Sequence, residues 1–280
     1  MKNFGGHEVV YSYDESGIII LPVPYDETST WMRGADKGPE AILEASVNLE
    51  FYDMETNSEA HLKGIHTVEP VLEKESPEKL VHAVYDRTSF LLKEKKFPVI
   101  IGGNHTVPIG AFRAFAEHFD NLSILQLDAH GDLRQTYEGS EFNHACAMAR
   151  AKEFAPVVQV GIRSMCTDEL PYADNERIFP SHRLYKDKTL YFRALDLLSE
   201  NVYITIDLDV FDPSIMPSTG TPEPGGPDYY ELMFFLKDVI KNRNVVGFDV
   251  VELCPSPANK APDFIAARII YQLLSYRFAK

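Results

Sequence analysis

Leu122-Ser123-Ile124-Leu125-Gln126-Leu127-Asp128-Ala129-His130-Gly131-Asp132 is the stretch on which the fold turns. Its first six residues form a mostly apolar run of strand length, too short for an ordinary helix. The run ends in Asp128, His130 and Asp132. A second run, Val202-Tyr203-Ile204-Thr205-Ile206, ends in the same way, in Asp207-Leu208-Asp209. Strand side chains alternate faces, so a continuing strand would put Asp128 and His130 on one face, and Asp207 and Asp209 likewise. Carboxylates at the ends of buried strands are costly unless a cation meets them. Four Asp and a His at two matching strand ends ask for metal, and four carboxylates balance two divalent ions. Asp is also common in strand-end turns. One cluster would leave that reading standing; a second at a matching position counts against it.

Outward from these runs, strands and helices alternate. Residues 18–24 read as a strand, followed by a long polar loop at 24–39. Residues 40–48 read as a helix with Pro39 near its first position. Ser76 caps the next helix, with an apolar stripe of Leu80, Val84, Leu91 and Leu92. Residues 97–101 read as a strand ending in Gly102-Gly103-Asn104-His105-Thr106, where two glycines permit a tight turn. A helix over 108–119 leads into the strand at 122–127. A polar loop at 134–143 then delivers His144 ahead of a helical 145–154. Residues 157–162 read as a strand ending at Arg163, 164–190 as irregular with short helices, and 191–198 as a helix. The Pro- and Gly-laden stretch 212–227 excludes any regular element. A helix from Pro227 to 237, a strand at 245–251 ending in Glu252, and a helix from Pro262 onward complete the chain.

This alternation implies an α/β fold with a parallel sheet and helices on both faces. No repeat or linker interrupts it, so residues 1–280 are expected to form one domain. His105, the two acidic clusters and Glu252 all fall at carboxyl ends of strands, where sites gather in open α/β sheets.

Composition narrows the partners. The chain has 280 residues, 45% hydrophobic and 25% charged, with a formal net charge of −15. So acidic a surface argues against nucleic acid and anionic membranes, and is compatible with a cationic substrate. No apolar run is long enough to span a membrane, and the N-terminal stretch lacks the form of a signal peptide. Cys146, Cys166 and Cys254 are odd in number and without paired spacing. They read as reduced thiols of a cytosolic protein rather than a disulfide framework or zinc site.

The candidate ligands are His105, Asp128, His130, Asp132, Asp207 and Asp209. An oxygen-rich set with a little imidazole and no thiolate suits Mn²⁺ better than Zn²⁺ or copper. Two ions sharing carboxylates hold a hydroxide near neutral pH, which points to a hydrolase. His144 is then placed to shuttle a proton to a leaving group, and Glu252 to pair with a cationic substrate. A loop cap for His144 and a surface charge for Glu252 are the plain alternatives.

At this point the chain resembles the ureohydrolase family, which includes arginase and agmatinase. The resemblance rests on Gly102-Gly103-Asn104-His105, Asp128-Ala129-His130-Gly131-Asp132 and Thr205-Ile206-Asp207-Leu208-Asp209. It rests also on Thr219-Gly220-Thr221-Pro222-Glu223-Pro224-Gly225-Gly226, on Asp249-Val250-Val251-Glu252, and on the early Gly34-Ala35-Asp36-Lys37-Gly38-Pro39. It runs from about residue 18 to the end. Together these motifs are specific where each alone is weak.

The resemblance implies a three-layer α/β/α sandwich and two Mn²⁺ per chain. It assigns His105, Asp128, Asp132 and Asp207 to one ion and Asp128, His130, Asp207 and Asp209 to the other, with Asp128 and Asp207 bridging. A hydroxide between the ions would attack a guanidinium carbon, and the tetrahedral intermediate would collapse to urea and an amine. Asp132, His144 and Glu252 are the implied catalytic residues, Glu252 also holding the guanidinium. A homo-oligomer, a trimer or hexamer, is implied as well. Four positions depart from the family's pattern: Asn104 for an acidic residue, Thr106 for Ser, Ala145 for Gly and Ser218 for Gly. Asn104 is expected to withdraw a charge from beside His105 and loosen its ion.

For the substrate's tail, the loop at 135–143 offers Glu138 and Glu141 and no Lys or Arg, which suits a cation. Thr221, Glu223 and the 137–140 turn resemble the agmatinase form. The expected reaction is therefore agmatine to putrescine and urea, a step of polyamine synthesis, with Glu138, Thr221 and Glu223 on the substrate. Arginine or a guanidino acid is the alternative, should Arg134 or Arg163 point inward. A non-catalytic metal-binding regulator and a two-metal phosphoesterase are the readings from other classes.

Overall fold

The runs read as strands become members of one parallel sheet. The computed structural model describes residues 2–279. The strands are β1 (Ile18–Val23), β2 (Ile65–Thr67), β3 (Phe97–Gly102), β4 (Leu122–Leu127), β5 (Val157–Val160), β6 (Ile178–Phe179), β7 (Asn201–Asp207) and β8 (Asn244–Val251). Their spatial order is β2-β1-β3-β8-β7-β4-β5-β6, and every pairing is parallel. The sequence reading missed β2 and β6. They are three and two residues long, too short to carry a period, and exist because each pairs with an edge of the sheet.

The helices are α1 (Gly38–Ser46), α2 (Pro77–Lys93), α3 (Ile109–His118), α4 (Ala147–Ala151), α5 (Ser181–Lys186), α6 (Leu190–Asp196), α7 (Tyr229–Asn242) and α8 (Ala261–Phe278). Strand alternation sorts the core into two layers. Ile18 and Ile20 of β1, Val99 and Ile101 of β3, and Val202, Ile204 and Ile206 of β7 pack with α1, α6, α7 and α8. Ile19, Leu21, Ile100, Ile124 and Tyr203 pack on the other face with α2, α3 and α4. Each fully buried aliphatic side chain contributes about 1.5–3 kcal/mol. This is the three-layer α/β/α architecture, with strands apolar on both faces as buried parallel strands are.

Caps decide where helices begin. Ser76 Oγ accepts the Lys79 N–H at 3.2 Å, as expected. The helix read as opening at Pro227 begins instead at Tyr229, because Asp228 caps it by accepting the Glu231 N–H at 2.8 Å. The helical reading of 145–154 shrinks to a 3₁₀ turn, His144–Cys146, followed by α4. Among the described residues no helix is long and apolar enough to cross a membrane.

Topology builds the site. After β3 the chain passes over the space of two strands to form β4, β5 and β6, then returns to fill the gap with β7 and β8. The four central strands, β3, β8, β7 and β4, are those that end in candidate residues. A reversal of strand order opens a crevice at the strands' carboxyl ends.

Candidate active site

Each of the four strand ends uses its own local device. After β3, Gly103 passes so close to Tyr25 that a Cβ would lie 1.8 Å from its carbonyl oxygen. Glycine alone fits there, and the turn it permits delivers His105. After β8, Glu252 adopts φ 66°, a left-handed conformation that costs a non-glycine residue about 1 kcal/mol or more. It is held there because its N–H donates to Gly103 O at 2.7 Å and its Oε1 accepts the His105 N–H at 2.8 Å.

The acidic pairs are not set by strand alternation, as the sequence suggested. β4 stops at Leu127 and β7 at Asp207. Beyond them the chain turns. Asp128 Oδ1 accepts the His130 N–H at 2.6 Å, and Asp207 Oδ1 accepts the Asp209 N–H at 2.9 Å. Asp side chains close such two-residue turns readily.

These turns bring all six proposed ligands together. His105 Nδ1 lies 3.1 Å from Asp128 Oδ2, 3.2 Å from Asp132 Oδ2 and 3.3 Å from Asp207 Oδ2. It is buried, yet hydrogen-bonded to none of them. An imidazole nitrogen among three carboxylate oxygens at nearly equal distances is an arrangement able to hold a metal ion. His130 Nδ1 lies 2.9 Å from Asp209 Oδ2 and 3.6 Å from Asp128 Oδ1, so Asp128 belongs to both groups. Asp207 turns Oδ2 to His105 of the first group, while its Oδ1 accepts the Asp209 N–H of the second.

The charges support the same reading. Burial, then Asp209 and Asp128, raise the Asp207 carboxyl well above its usual range. Burial and Asp128 push Asp132 up to about 6. Burial works to raise Asp128 too, but the His105 and His130 imidazoles beside it outweigh it and hold it low. Burial would lower both imidazoles, and the surrounding carboxylates raise them. Carboxylates that push one another toward protonation in a buried site are suited to a dense cation. The donor set thus fits divalent metal.

Behind the ligands lies a polar layer that the sequence reading missed. His105 Nε2 is 3.0 Å from Thr205 Oγ1, which donates to Asp249 Oδ1 at 2.8 Å. Thr205 therefore accepts from Nε2–H, which leaves Nδ1 as the nitrogen that would ligate once its proton is lost. Gln126 Nε2 donates to Asp128 Oδ2 at 2.7 Å, and Gln159 Nε2 donates to Gln126 Oε1 at 2.6 Å and Gly131 O at 2.8 Å. A polar side chain inside an apolar strand was the available signal for these residues. Glu169 had none. From the stretch read as irregular, its carboxylate accepts the Leu133 N–H at 2.9 Å and the Cys166 N–H at 2.7 Å.

Above the ligands is a cavity of about 170 Å³, bordered by His144, Glu252, Thr221, Arg134 and Tyr137. His144 Nδ1 lies 3.3 Å from Thr28 Oγ1. Burial, helped by His105 and His130, pushes its pKa down to about 4. Burial pushes Glu252 up to about 8.

Other expected residues fall elsewhere. Glu138 is exposed at the tip of a tight turn closed by Tyr137 and Ser140, where it and Gly139 both have positive φ. It does not border the cavity. Glu141 pairs with Arg150 at 3.2 Å rather than awaiting a tail. Glu223 is half-buried, with Oε1 4.0 Å from His130 Nε2. Arg163 points its guanidinium at backbone carbonyls, including Asp209 O at 2.7 Å and Glu223 O at 2.8 Å, so it is taken up in holding two loops together. Asn104 does not meet the His105 ring. Its amide goes to Thr28 at 2.7 Å, and the outer carboxylate behind His105 is Asp249.

The sequence profile of the arginase family matches residues 16–275. The chain belongs to the arginase family. An N(1)-aminopropylagmatine ureohydrolase of Synechocystis sp. is 35% identical over 98% of this chain and 94% of its own. The protein of that name from Thermus thermophilus is 37% identical over 95% and 92%. The crystal structure of the agmatine ureohydrolase of Thermoplasma volcanium superposes with a TM-score of 0.89 at 28% identity, covering 99% of this chain and 94% of that one. This arginase-family chain is thus an agmatinase-like ureohydrolase, with two carboxylate–imidazole clusters able to hold metal.

Proposed function

We propose that this chain binds two Mn²⁺ and releases urea from a guanidinium compound with a cationic tail, N(1)-aminopropylagmatine or agmatine. The observation that carries the reading is the Nδ1 of His105 among three carboxylates, beneath a cavity walled by Glu252 and His144. His105, Asp128, Asp132 and Asp207 would hold one ion, and Asp128, His130, Asp207 and Asp209 the other. When bound, the ions supply a nucleophile from water at neutral pH and a positive field for the developing charge.

The chain's own groups do the rest. Glu252 has one oxygen committed to the His105 N–H, leaving Oε2 for the guanidinium. Gly220 lies beside it, where a Cβ would be in ordinary contact with Oε2 at 3.6 Å. A guanidinium beside this carboxylate would reverse the upward push of burial and keep it ionised. His144 borders the cavity, from which it would move a proton to the departing amine. Asp132 borders the same cavity and would hold a proton of the attacking group.

The expectation of agmatine alone widens here. The two relatives quoted are named for its aminopropyl derivative. A cavity of about 170 Å³ is close to one of about 150 Å³ that benzene fills. Agmatine is longer than benzene, so its tail would extend beyond the cavity toward the loops carrying Thr221, Glu223 and Tyr137, which would read it. Arg134 gives a second reading some footing: it borders the cavity, stacked 4.6 Å from the Tyr137 ring, where it would meet a carboxylate tail.

Urea release measured after Mn²⁺ loading with N(1)-aminopropylagmatine, agmatine, arginine and 4-guanidinobutyrate decides among these. Either polyamine-type substrate is expected to lead in kcat/KM. A lead for 4-guanidinobutyrate or arginine would move the assignment to the Arg134 reading. No urea from any of them would leave the non-catalytic regulator.

A further inference from the structure

We propose that Asn104 and Thr28 act as positioning residues that hold neutral His144 with its proton on Nε2, the edge left to the cavity. The inference rests on the reading of His144 as a cavity-facing group.

The hydrogen bonds around Thr28 can be assigned donor by donor. The Thr106 backbone N–H donates to Asn104 Oδ1 at 3.3 Å. A backbone N–H cannot accept, so that side of the amide is its oxygen. The other side is the NH₂, which donates to Thr28 Oγ1 at 2.7 Å. Thr28 Oγ1 also lies 2.9 Å from Thr106 Oγ1 and 3.3 Å from His144 Nδ1, and it accepts the His144 backbone N–H at 3.4 Å. A threonine has one hydroxyl proton to give. Suppose Thr28 gave it to Thr106. The Thr106 hydroxyl has no other partner among the described residues, and its own proton would be orphaned in a fully buried place. Buried donors are rarely left so. Suppose instead that Thr106 donates to Thr28. Then the Thr28 proton goes to His144 Nδ1, and every donor in the group is satisfied.

His144 Nδ1 is then an acceptor, and the neutral ring carries its proton on Nε2. Burial favours the neutral ring, in keeping with its lowered pKa. A ring held in this way offers a hydrogen bond to the leaving nitrogen while uncharged. The opposite tautomer would present a lone pair there.

Asn104 is the pivot. An aspartate in its place would replace the amide donor with an acceptor. Thr28 would donate to that carboxylate and accept from His144 Nδ1–H, turning the Nε2 lone pair to the cavity.

The test is ¹⁵N NMR of the histidine-labelled full chain at neutral pH, metal-free, with His144 identified by its loss in His144→Gln. The wild type is expected to show an unprotonated Nδ1 and a protonated Nε2. Asn104→Asp should reverse the two, Thr28→Ser should keep the wild-type pattern, and Thr28→Val should lose the bias. A protonated Nδ1 in the wild type overturns the proposal, as does an unchanged tautomer in folded Asn104→Asp. Should that variant not fold, the wild type with the Thr28→Ser and Thr28→Val pair decides. A merely structural Asn104 would alter stability and leave the tautomer in place. The readout needs no substrate, so its failure is distinct from a failure to release urea.

Discussion

On the floor of the cavity, four carboxylates each have one oxygen tied to a backbone N–H: Asp128 to His130, Asp207 to Asp209, Asp209 to Ala129 and Glu252 to His105. Asp128, Asp207 and Asp209 turn the second oxygen to an imidazole. At the rim, Glu138 stands exposed and Glu223 has only a 4.0 Å approach to His130. The difference is one of support. Floor groups sit on the ends of central strands with a buried polar layer behind them. Rim groups sit on loops, where change is tolerated. Under the proposed function, the chemistry would belong to the floor and the choice of tail to the rim.

The sharpest break of this contrast is Asp128→Ala. Asp128 is shared by both clusters, so the variant should lose both ions and, with them, urea release. Asp209→Ala should lose the second ion and keep the first. Metal analysis of the folded variants checks both; two ions retained by Asp128→Ala would undo the floor as drawn. His144→Ala should keep both ions and lower kcat by about 10²–10⁴-fold. Steady-state rates with metal counts separate that from a ligand's role. Asp249→Asn should weaken metal affinity by about 10–100-fold with little change in kcat at saturating metal. Asn104→Asp should change affinity less than that, because its side chain faces Thr28. Metal titration of the two variants compares the layers directly.

A pH series sharpens the same point. In the metal-free chain, Asp132 is raised to about 6, Glu252 to about 8 and Asp249 to about 7. Folded carboxylates with raised pKa bind more protons than unfolded ones, so stability falls as pH rises from about 4 to about 8. His105 and His130, also raised, add to the fall above their ordinary value near 6.5; His144, lowered to about 4, opposes it below that value, and the lowered Asp128 acts only below about pH 4. Thermal melts should show metal-free stability declining across that range and Mn²⁺ restoring most at the upper end. The smallest effects belong to the rim. Glu138→Gln should leave kcat/KM unchanged, and Glu223→Gln should reduce it by about fivefold at most, the worth of an exposed ion pair. A large loss at Glu138 would mean that the 137–140 turn closes over bound substrate.

Six of the eight strands and the strand ends that carry the candidate ligands were legible because apolar runs, glycines and clustered Asp and His are local signals. β2 and β6 were not, since pairing alone makes them strands. Glu141 was misread for a related reason: its sequence neighbours say nothing of Arg150, which reaches it from α4. Asn104 was placed beside His105 by adjacency in the chain, whereas the turn at Gly103 sends its side chain to Thr28.

By itself, the sequence determined the alternating fold and pointed to the six candidate ligands and to His144 and Glu252. Each follows from composition within a few residues, where chain connectivity does the placing. Tertiary structure decided what lies between distant segments. It showed that β7 and β8 return between β3 and β4, that Thr205 and Asp249 stand behind His105, and that Thr28 joins Asn104 to His144. A hydrogen bond extends only about 3 Å and has a direction. Which groups 76 to 116 residues apart come within that reach is settled by how the layers pack, and no local pattern encodes it.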